Sequence, residues 1–246
     1  MTDESIEYWF SYWGPYVVQT RFKDPTIVTE LLEKAIESRT DEERFKQLDA
    51  RSNLAGQIDE ELWYENYNDW FVPKFAPYVN LYLDGLREYK PDSFEHIYSR
   101  QAQVSGNWKA FQATSLPDTK LEWVLDSLWV NFQKPREYNP PHHHTGDMSF
   151  VLFLQVPKGI QKENEAIKGV HNNEGPGMLI FDYGEHIPFS IGRKSLMPVV
   201  GDLIMFPSWL RHYVNDFTSK GERISVSGNV TLRVADSEFS EYGFKP

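Results

Sequence analysis

Cysteine is absent from the 246-residue chain, and its absence removes several kinds of site from consideration. Disulfides, thiolate zinc sites, iron–sulfur clusters and cysteine nucleophiles are all excluded. A metal ion in this protein must therefore be bound by histidine, aspartate or glutamate side chains.

Basic residues are also scarce relative to acidic ones. The chain has 25 Lys and Arg against 36 Asp and Glu, which gives a formal net charge of −11 at pH 7. Binding to a nucleic-acid backbone needs clustered Lys and Arg, and no such cluster stands out in the sequence. We therefore expect no nucleic-acid partner.

Long apolar runs are missing as well. No stretch approaches the roughly 18 apolar residues that a membrane-spanning helix requires. The first residues, MTDESIEYWF, are acidic where a secretory signal would be basic. We expect a soluble, cytoplasmic protein with no membrane partner.

The first third of the chain is predicted to be helical. In residues 24–39, DPTIVTELLEKAIESR, Asp24 can cap a helix, Pro25 suits its first position, and apolar residues recur at helical spacing. Residues 58–89 are predicted to be helical in pieces, with Pro73 and Pro77 ending or kinking a turn.

From about residue 108 the apolar residues alternate with a period of two, which is typical of strands. Several short strands separated by turn residues indicate an antiparallel sandwich or barrel. The candidate strands are WKAFQAT, SLWVNFQ, SFVLFLQVP, GMLIFDYG, PVVGDLIMFP and RISVSGNVTLRV.

The predicted organisation is one α+β domain, mainly β, over residues 1–246. A mainly helical part, residues 1–105, is expected to pack on and brace a β core, residues 106–236. Residues 158–177 are polar and are predicted to form a surface loop between two strands. The end of the chain, residues 237–246, is predicted to be a tail.

Three of the seven histidines stand together in YNPPHHHTGDMSF, residues 138–150. Residues two apart in an extended segment point the same way, so His142 and His144 can converge while His143 faces elsewhere. Two imidazoles form part of a metal site. The ordinary alternative is a polar surface loop, or histidines paired with carboxylates.

A second motif, GDLIMFPSWLRHYV, contains a buried strand, a turn and then His212. A later strand opens with Arg223 and Ser225, which lie two apart and can face the same barrel interior. A buried arginine is costly unless it pairs with an anion, and its planar guanidinium suits a carboxylate.

Together these motifs resemble the iron(II)- and 2-oxoglutarate-dependent oxygenases. FPSWLRHYV followed by ERISVSGNV is similar to the prolyl-hydroxylase-like group of that superfamily, which is common in phages, notably those of marine cyanobacteria. The resemblance covers about residues 120–235 and covers the helical first third only loosely. A phage-encoded protein would act in the host cytoplasm.

The resemblance implies a double-stranded β-helix, a jelly-roll or cupin-like core, with Fe(II), 2-oxoglutarate and O2 as cofactor and co-substrates. It makes His212 the distal metal ligand, and Arg223 with Ser225 the partners of the distal carboxylate of 2-oxoglutarate. Asn131 and Tyr138 occupy positions where this superfamily often places co-substrate contacts. The implied reaction hydroxylates an unactivated C–H, in a prolyl or other amino-acid side chain of a peptide or in a small molecule, and releases succinate and CO2.

The sequence departs from the family pattern because HHHTGD contains no His-x-Asp or His-x-Glu. Three interpretations follow. His142 and His144 are the proximal pair of a three-histidine site, which best fits the short distance to the next strand. In the second interpretation, Asp147 pairs with His144 as a metal ligand, which needs a tight Thr-Gly turn. Beside three histidine ligands, the expected role of Asp147 is instead a hydrogen bond to a ligating histidine from outside the metal's shell. In the last interpretation, His144-x-Gly146 with His212 forms a two-histidine site with water in the empty position.

Two other classes of function stay open. A cupin-type enzyme with a three-histidine metal site and no use of 2-oxoglutarate would explain the missing carboxylate. A non-catalytic jelly-roll binding or structural protein would make the histidines incidental. The aromatic first third could supply a substrate wall, a homodimer surface or only a brace.

Overall fold

The structure is a computed structural model, and the account below concerns the part of the chain that it describes. Two sequence predictions, the strand WKAFQAT and the C-terminal tail, lie outside this part. The described residues are 14–105, 121–168, 174–185, 187–188 and 190–234.

Helices dominate the chain before the barrel. The helix predicted over residues 24–39 is α1, where the Asp24 carboxylate accepts the Thr26 backbone N–H at 2.9 Å and Ile27, Leu31 and Ala35 are buried. Short 3-10 turns also occur at Arg51–Asn53 and Pro91–Phe94. The helices are α1 (Thr26–Thr40), α2 (Glu42–Gln47), α3 (Tyr67–Trp70), α4 (Val72–Tyr89), α5 (Glu95–Ser105) and α6 (Gly159–Ile167).

Helix α4 corrects the expectation that Pro73 or Pro77 could end a helical turn in this segment. Pro73 is within its first two residues, where no intrahelical N–H bond is lost, and the helix continues past Pro77. The helix loses one hydrogen bond at Pro77. Burial of Phe75, Val79 and Leu83 on one face favours the continuous helix over a break.

Helix α6 corrects the prediction of a surface loop over residues 158–177. Ile160 is fully buried, and the Glu163 carboxylate accepts hydrogen bonds from the backbone N–H and side-chain hydroxyl groups of Thr218 and Ser219. Burial of Ile160 and the hydrogen bonds of the Glu163 carboxylate hold this polar helix in place. These contacts are remote in sequence, so local composition did not reveal them.

Ten strands form two antiparallel sheets. The six-stranded sheet has the order β1-β8-β5-β10-β3-β2, and the four-stranded sheet has the order β4-β9-β6-β7. The strands are β1 (Val18–Arg21), β2 (Glu61–Trp63), β3 (Leu121–Gln133), β4 (Asn139–His142), β5 (Met148–Gln155), β6 (Leu179–Asp182), β7 (Arg193–Leu196), β8 (Asp202–Pro207), β9 (Arg211–Val214) and β10 (Arg223–Val234).

The connections identify the fold. From β3 to β10 the chain passes between the two sheets at each step except β6 to β7, which are neighbours in the four-stranded sheet. This alternation is that of a double-stranded β-helix, or jelly roll. The expected fold class, α+β and mainly β with preceding helices, is confirmed.

Two strands of the six-stranded sheet come from the first part of the chain, which was predicted to be mainly helical and for which no strand was expected. Strand β1 pairs with β8 and β2 pairs with β3, so each forms one edge of the sheet. Both strands are too short, at four and three residues, to give a clear period-two pattern.

The six-stranded sheet is buried on both faces. Along β5, Phe150, Leu152 and Leu154 belong to the core shared with the helices, while Val151 and Phe153 belong to the core inside the barrel. The helices thus brace the sheet from outside. Among the described residues, no helix has both the length and the apolar character needed to cross a membrane.

Candidate metal centre and adjoining pocket

Three histidines converge at one end of the barrel. His142 ends β4 and lies directly opposite His212 of β9, with ring centroids 4.3 Å apart. His144 follows two residues later, and one ligand atom from each of the three side chains lies within 4.8 Å of the others. His143, between them in sequence, is exposed. The three imidazoles are arranged to bind one metal ion.

Backbone carbonyls fix the orientation of two of these rings. Nδ1 of His142 lies 2.7 Å from the Pro140 carbonyl oxygen, and Nδ1 of His212 lies 2.8 Å from the Leu210 carbonyl oxygen. A carbonyl only accepts, so each Nδ1 carries the proton and donates. The lone pair of each Nε2 is left for a metal ion.

Burial keeps the three histidines neutral. It lowers the pKa of His144 to about 3, with smaller contributions from the neighbouring histidines. It also lowers the pKa of His142 and holds the pKa of His212 well below its ordinary value. Protons therefore compete little with a metal ion for these nitrogens at neutral pH.

Asp147 lies apart from this cluster. Its carboxylate accepts hydrogen bonds from Arg100 Nη1 at 2.8 Å, from Arg100 Nη2 at 2.9 Å and from the Leu232 backbone N–H at 2.7 Å. Burial alone would raise its pKa, but hydrogen bonds from His96, Arg100 and Leu232 hold the pKa at about 2. The structure brings Asp147 to helix α5 and not to the three histidines.

Arg223 is buried at the start of β10 without a charged partner among the described residues. Its Nη1 donates long hydrogen bonds to Gln133 Oε1 at 3.3 Å and Ser225 Oγ at 3.4 Å, whereas its Nε and Nη2 have no hydrogen-bond partner. The guanidinium carbon lies 4.9 Å from the centroid of the Phe153 ring. Burial lowers the pKa of Arg223 to about 9. Unsatisfied donors of this kind need an explanation, and an anionic ligand supplies one.

One cavity joins the histidines to Arg223. Trp129 and Phe206 form part of its apolar wall, and none of the described residues that line it has a carboxylate. Its electrostatic character is therefore neutral to cationic, which favours an anion. Its polar lining consists of Asn131, Gln133, Asn139, His142, His144, His212, Arg223, Ser225 and Ser227.

The remaining site residues predicted from the sequence fall into two groups, those that line the cavity and one that does not. Asn131 and Ser225 are buried and line the cavity, while Tyr138 is 46% exposed and is not part of the lining. Sequence reasoning missed Gln133 and Asn139. Gln133 lies two residues after Asn131 on β3, so alternation could have identified it.

Residues 127–229 match a protein-family model described as "Putative 2OG-Fe(II) oxygenase", where 2OG is 2-oxoglutarate. The matched range contains the three histidines, Arg223 and Ser225. No curated protein matches the chain.

Several solved structures are similar over most of their length. The viral collagen prolyl hydroxylase of Paramecium bursaria Chlorella virus-1, in a 2OG complex, is 14% identical, with 90% of this chain and 98% of that chain covered and a TM-score of 0.49. A Pseudomonas putida prolyl-4-hydroxylase is 15% identical, with 86% and 90% covered and a TM-score of 0.46. A Trichoplax adhaerens prolyl hydroxylase, in complex with a hypoxia inducible factor peptide fragment, is 12% identical, with 93% and 87% covered and a TM-score of 0.47. These values describe a distant likeness only.

Proposed function

We propose, because residues 127–229 match the family model of a 2OG-Fe(II) oxygenase, that this protein is an Fe(II)- and 2-oxoglutarate-dependent hydroxylase. The proposed reaction hydroxylates an unactivated C–H of a prolyl or other amino-acid side chain, in a peptide or a small molecule, and releases succinate and CO2. One observation carries the proposal: a single cavity joins a three-histidine cluster to a buried arginine without a counter-ion.

The charges around this cavity support a ligand with two anionic ends. Three neutral imidazoles would leave the charge of a divalent ion uncompensated, and Arg223 adds a second cation without a partner. The dianion 2-oxoglutarate has a chelating 2-oxo acid at one end and a second carboxylate at the other. Such a ligand satisfies both charges at once.

Different residues of the chain would bind the metal ion and the co-substrate. His142, His144 and His212 would hold Fe(II), which when bound supplies the redox chemistry with O2 and 2-oxoglutarate. The free Nε and Nη2 of Arg223 form a pair of donors suited to bidentate binding of the distal carboxylate. Ser225 Oγ lies 3.4 Å from Nη1 of the same guanidinium.

The test is anaerobic titration of the purified protein with Fe(II) and then with 2-oxoglutarate. We expect one iron per chain and a weak visible charge-transfer band on adding 2-oxoglutarate, followed in air by succinate formation. Arg223→Ala should bind iron normally but lose the band at concentrations that saturate the wild type. Arg233→Ala, on the same strand but at the surface, is the matched control. Iron binding with neither band nor succinate would overturn the proposal.

A second candidate is a cupin-type three-histidine enzyme that does not use 2-oxoglutarate. The observation in its favour is the ligand set, since no carboxylate joins the three histidines among the described residues. The same titration separates the two candidates, because Arg223→Ala should then change neither metal binding nor turnover.

A further inference from the structure

We infer that Asp147 and Arg100 are positioning residues for the metal centre, because their ion pair fixes the loop that presents His144 and links it to helix α5. The inference rests on the proposed function only in taking the three histidines as metal ligands. It gives Asp147 a role different from that of a ligand, and it gives the helical first third a role in the site.

Backbone hydrogen bonds tie the loop to two other elements. The His144 N–H donates to the Ser208 carbonyl at 2.9 Å, and the Ser208 N–H donates to the Asp147 carbonyl at 3.1 Å. The Asp147 N–H donates to the Val230 carbonyl of β10 at 2.9 Å. Ser208 lies in the turn that leads to His212, so the loop and this turn hold each other and set the separation of two ligands.

The Asp147 side chain anchors the same loop from the other side. Arg100 binds it through both Nη atoms, and Arg100 Nη2 also donates to the Leu232 carbonyl at 2.7 Å. The Asp147 side chain is 7% exposed, whereas that of Arg100 is 40% exposed. The carboxylate is thus enclosed by donors from α5 and β10.

The connection between His144 and this anchor is short, and its turn requires a glycine. Gly146 has a φ of +88°, and a Cβ atom placed there would lie 3.0 Å from the Val230 carbonyl oxygen. Only glycine fits such a turn without strain. Because only Thr145 and Gly146 separate them, a displacement of Asp147 would be passed on to His144.

The position of the His144 ring also depends on this loop, because in the described part of the chain the ring lacks the hydrogen bond that orients each of the other two histidines. The rings of His142 and His212 each donate to a backbone carbonyl, whereas the described residues offer no such acceptor for the ring of His144. Outside the cluster, its ring lies beside Trp129, with ring centroids 5.5 Å apart. The position of the backbone therefore determines where this imidazole lies.

The test measures metal binding without turnover, with Co(II) alone as the probe. Asp147→Asn and Arg100→Gln remove one partner each, and Arg100→Lys keeps the charge without the bidentate geometry. We expect a loss of about tenfold or more in Co(II) affinity for the first two variants, as is usual when a group supporting a ligand is lost. Their visible Co(II) spectra should also change, and Arg100→Lys should be intermediate.

Two control variants separate positioning from general stability. Arg87→Gln removes the exposed ion pair of α4 with Asp84, and His143→Gln changes the exposed member of the triplet. Both should keep wild-type Co(II) affinity and spectrum. The double variant Arg100→Gln/Asp147→Asn should be no worse than the poorer single variant, because the two residues act as one unit.

Wild-type Co(II) affinity and spectrum in folded Asp147→Asn and Arg100→Gln would overturn the inference. If Asp147→Asn does not fold, the Arg100 variants decide, since their partly exposed side chain is replaced at lower risk. A different result would contradict the proposed function: a wild-type protein that binds Co(II) and Fe(II) but gives no signal with 2-oxoglutarate.

Discussion

The helix-facing side of the six-stranded sheet is apolar and filled, whereas its barrel-facing side carries polar groups that lack partners. Along β3, Leu128 and Val130 pack into the core shared with the helices, while the alternating Asn131 and Gln133 line the cavity. One strand therefore serves two purposes with a period of two. The outer face stabilises the sheet, and the inner face is available for a ligand.

The polar groups that leave the inner face available for a ligand also lower the stability of the fold. Glu61, Asn131 and Ser225 occupy one register row across β2, β3 and β10. Both carboxylate oxygens of Glu61 and the side-chain oxygen of Asn131 are buried without a hydrogen-bond partner in the described part of the chain. Burial raises the pKa of Glu61 to about 7. Unpaired polar groups of this kind destabilise a fold, and they concentrate where a ligand binds.

The largest effect expected from this comparison is on the outer face. Phe75 of α4 is fully buried and lies 4.4 Å from Phe150 between ring centroids. Phe75→Ala should lower the free energy of unfolding by about 3–5 kcal/mol, measured by urea denaturation. Leu81→Ala, at an exposed position of the same helix, should change it by less than about 0.5 kcal/mol. Equal effects would remove the distinction between the faces.

The next largest effect expected is a dependence of the unfolding free energy on pH, caused by the histidine cluster. His144 stays neutral when folded, with a pKa of about 3 against an ordinary 6.5, so the unfolded chain takes up a proton that the folded chain does not. Its contribution to stability is complete above pH 6.5 and is lost as the pH falls towards 3. The slope is about 1.4 kcal/mol per pH unit for one histidine.

Urea denaturation of the metal-free protein from pH 8 downward, in steps of about one pH unit, measures this slope. His144→Gln should reduce the slope by the share of one histidine, since His142 and His212 also stay neutral when folded. His143→Gln, which changes an exposed side chain, should not reduce it. A slope that His143→Gln reduces as much as His144→Gln does would contradict the assignment.

A smaller effect, of opposite sign for stability and binding, is expected at Arg223. Arg223→Met removes two buried donors that have no partner, so the metal-free protein should gain about 1–3 kcal/mol in unfolding free energy. The same variant should lose 2-oxoglutarate binding, measured by isothermal calorimetry on the Fe(II) form under anaerobic conditions. A loss of stability together with retained binding would show that the arginine is structural.

The smallest effect is expected at Tyr138, which the resemblance placed near the co-substrate. Its side chain is 46% exposed and lies outside the cavity lining. Tyr138→Phe should change the unfolding free energy by less than about 0.5 kcal/mol and should leave the 2-oxoglutarate affinity unchanged. A clear loss of affinity in the same calorimetric titration would instead extend the site beyond the cavity.

Alternation along strands was the part of the sequence that predicted best. It separated His142 and His144 from His143, and it paired Arg223 with Ser225, because period-two geometry is local. The pairing of Asp147 with Arg100 could not be predicted, since Arg100 is 47 residues away and on a helix. The short edge strands β1 and β2 were missed for a related reason: only pairing with distant strands makes them strands.

The order of strands in the six-stranded sheet also bears on how the protein is made. Strand β10 is the last of the ten described strands, yet it pairs with both β5 and β3 and carries Arg223. While the chain is still on the ribosome, β3 and β5 must wait for their shared neighbour, since long-range pairing closes late in folding. The helices of the first third can form as they emerge, but the cavity exists only once β10 has been synthesised and has paired with β3 and β5.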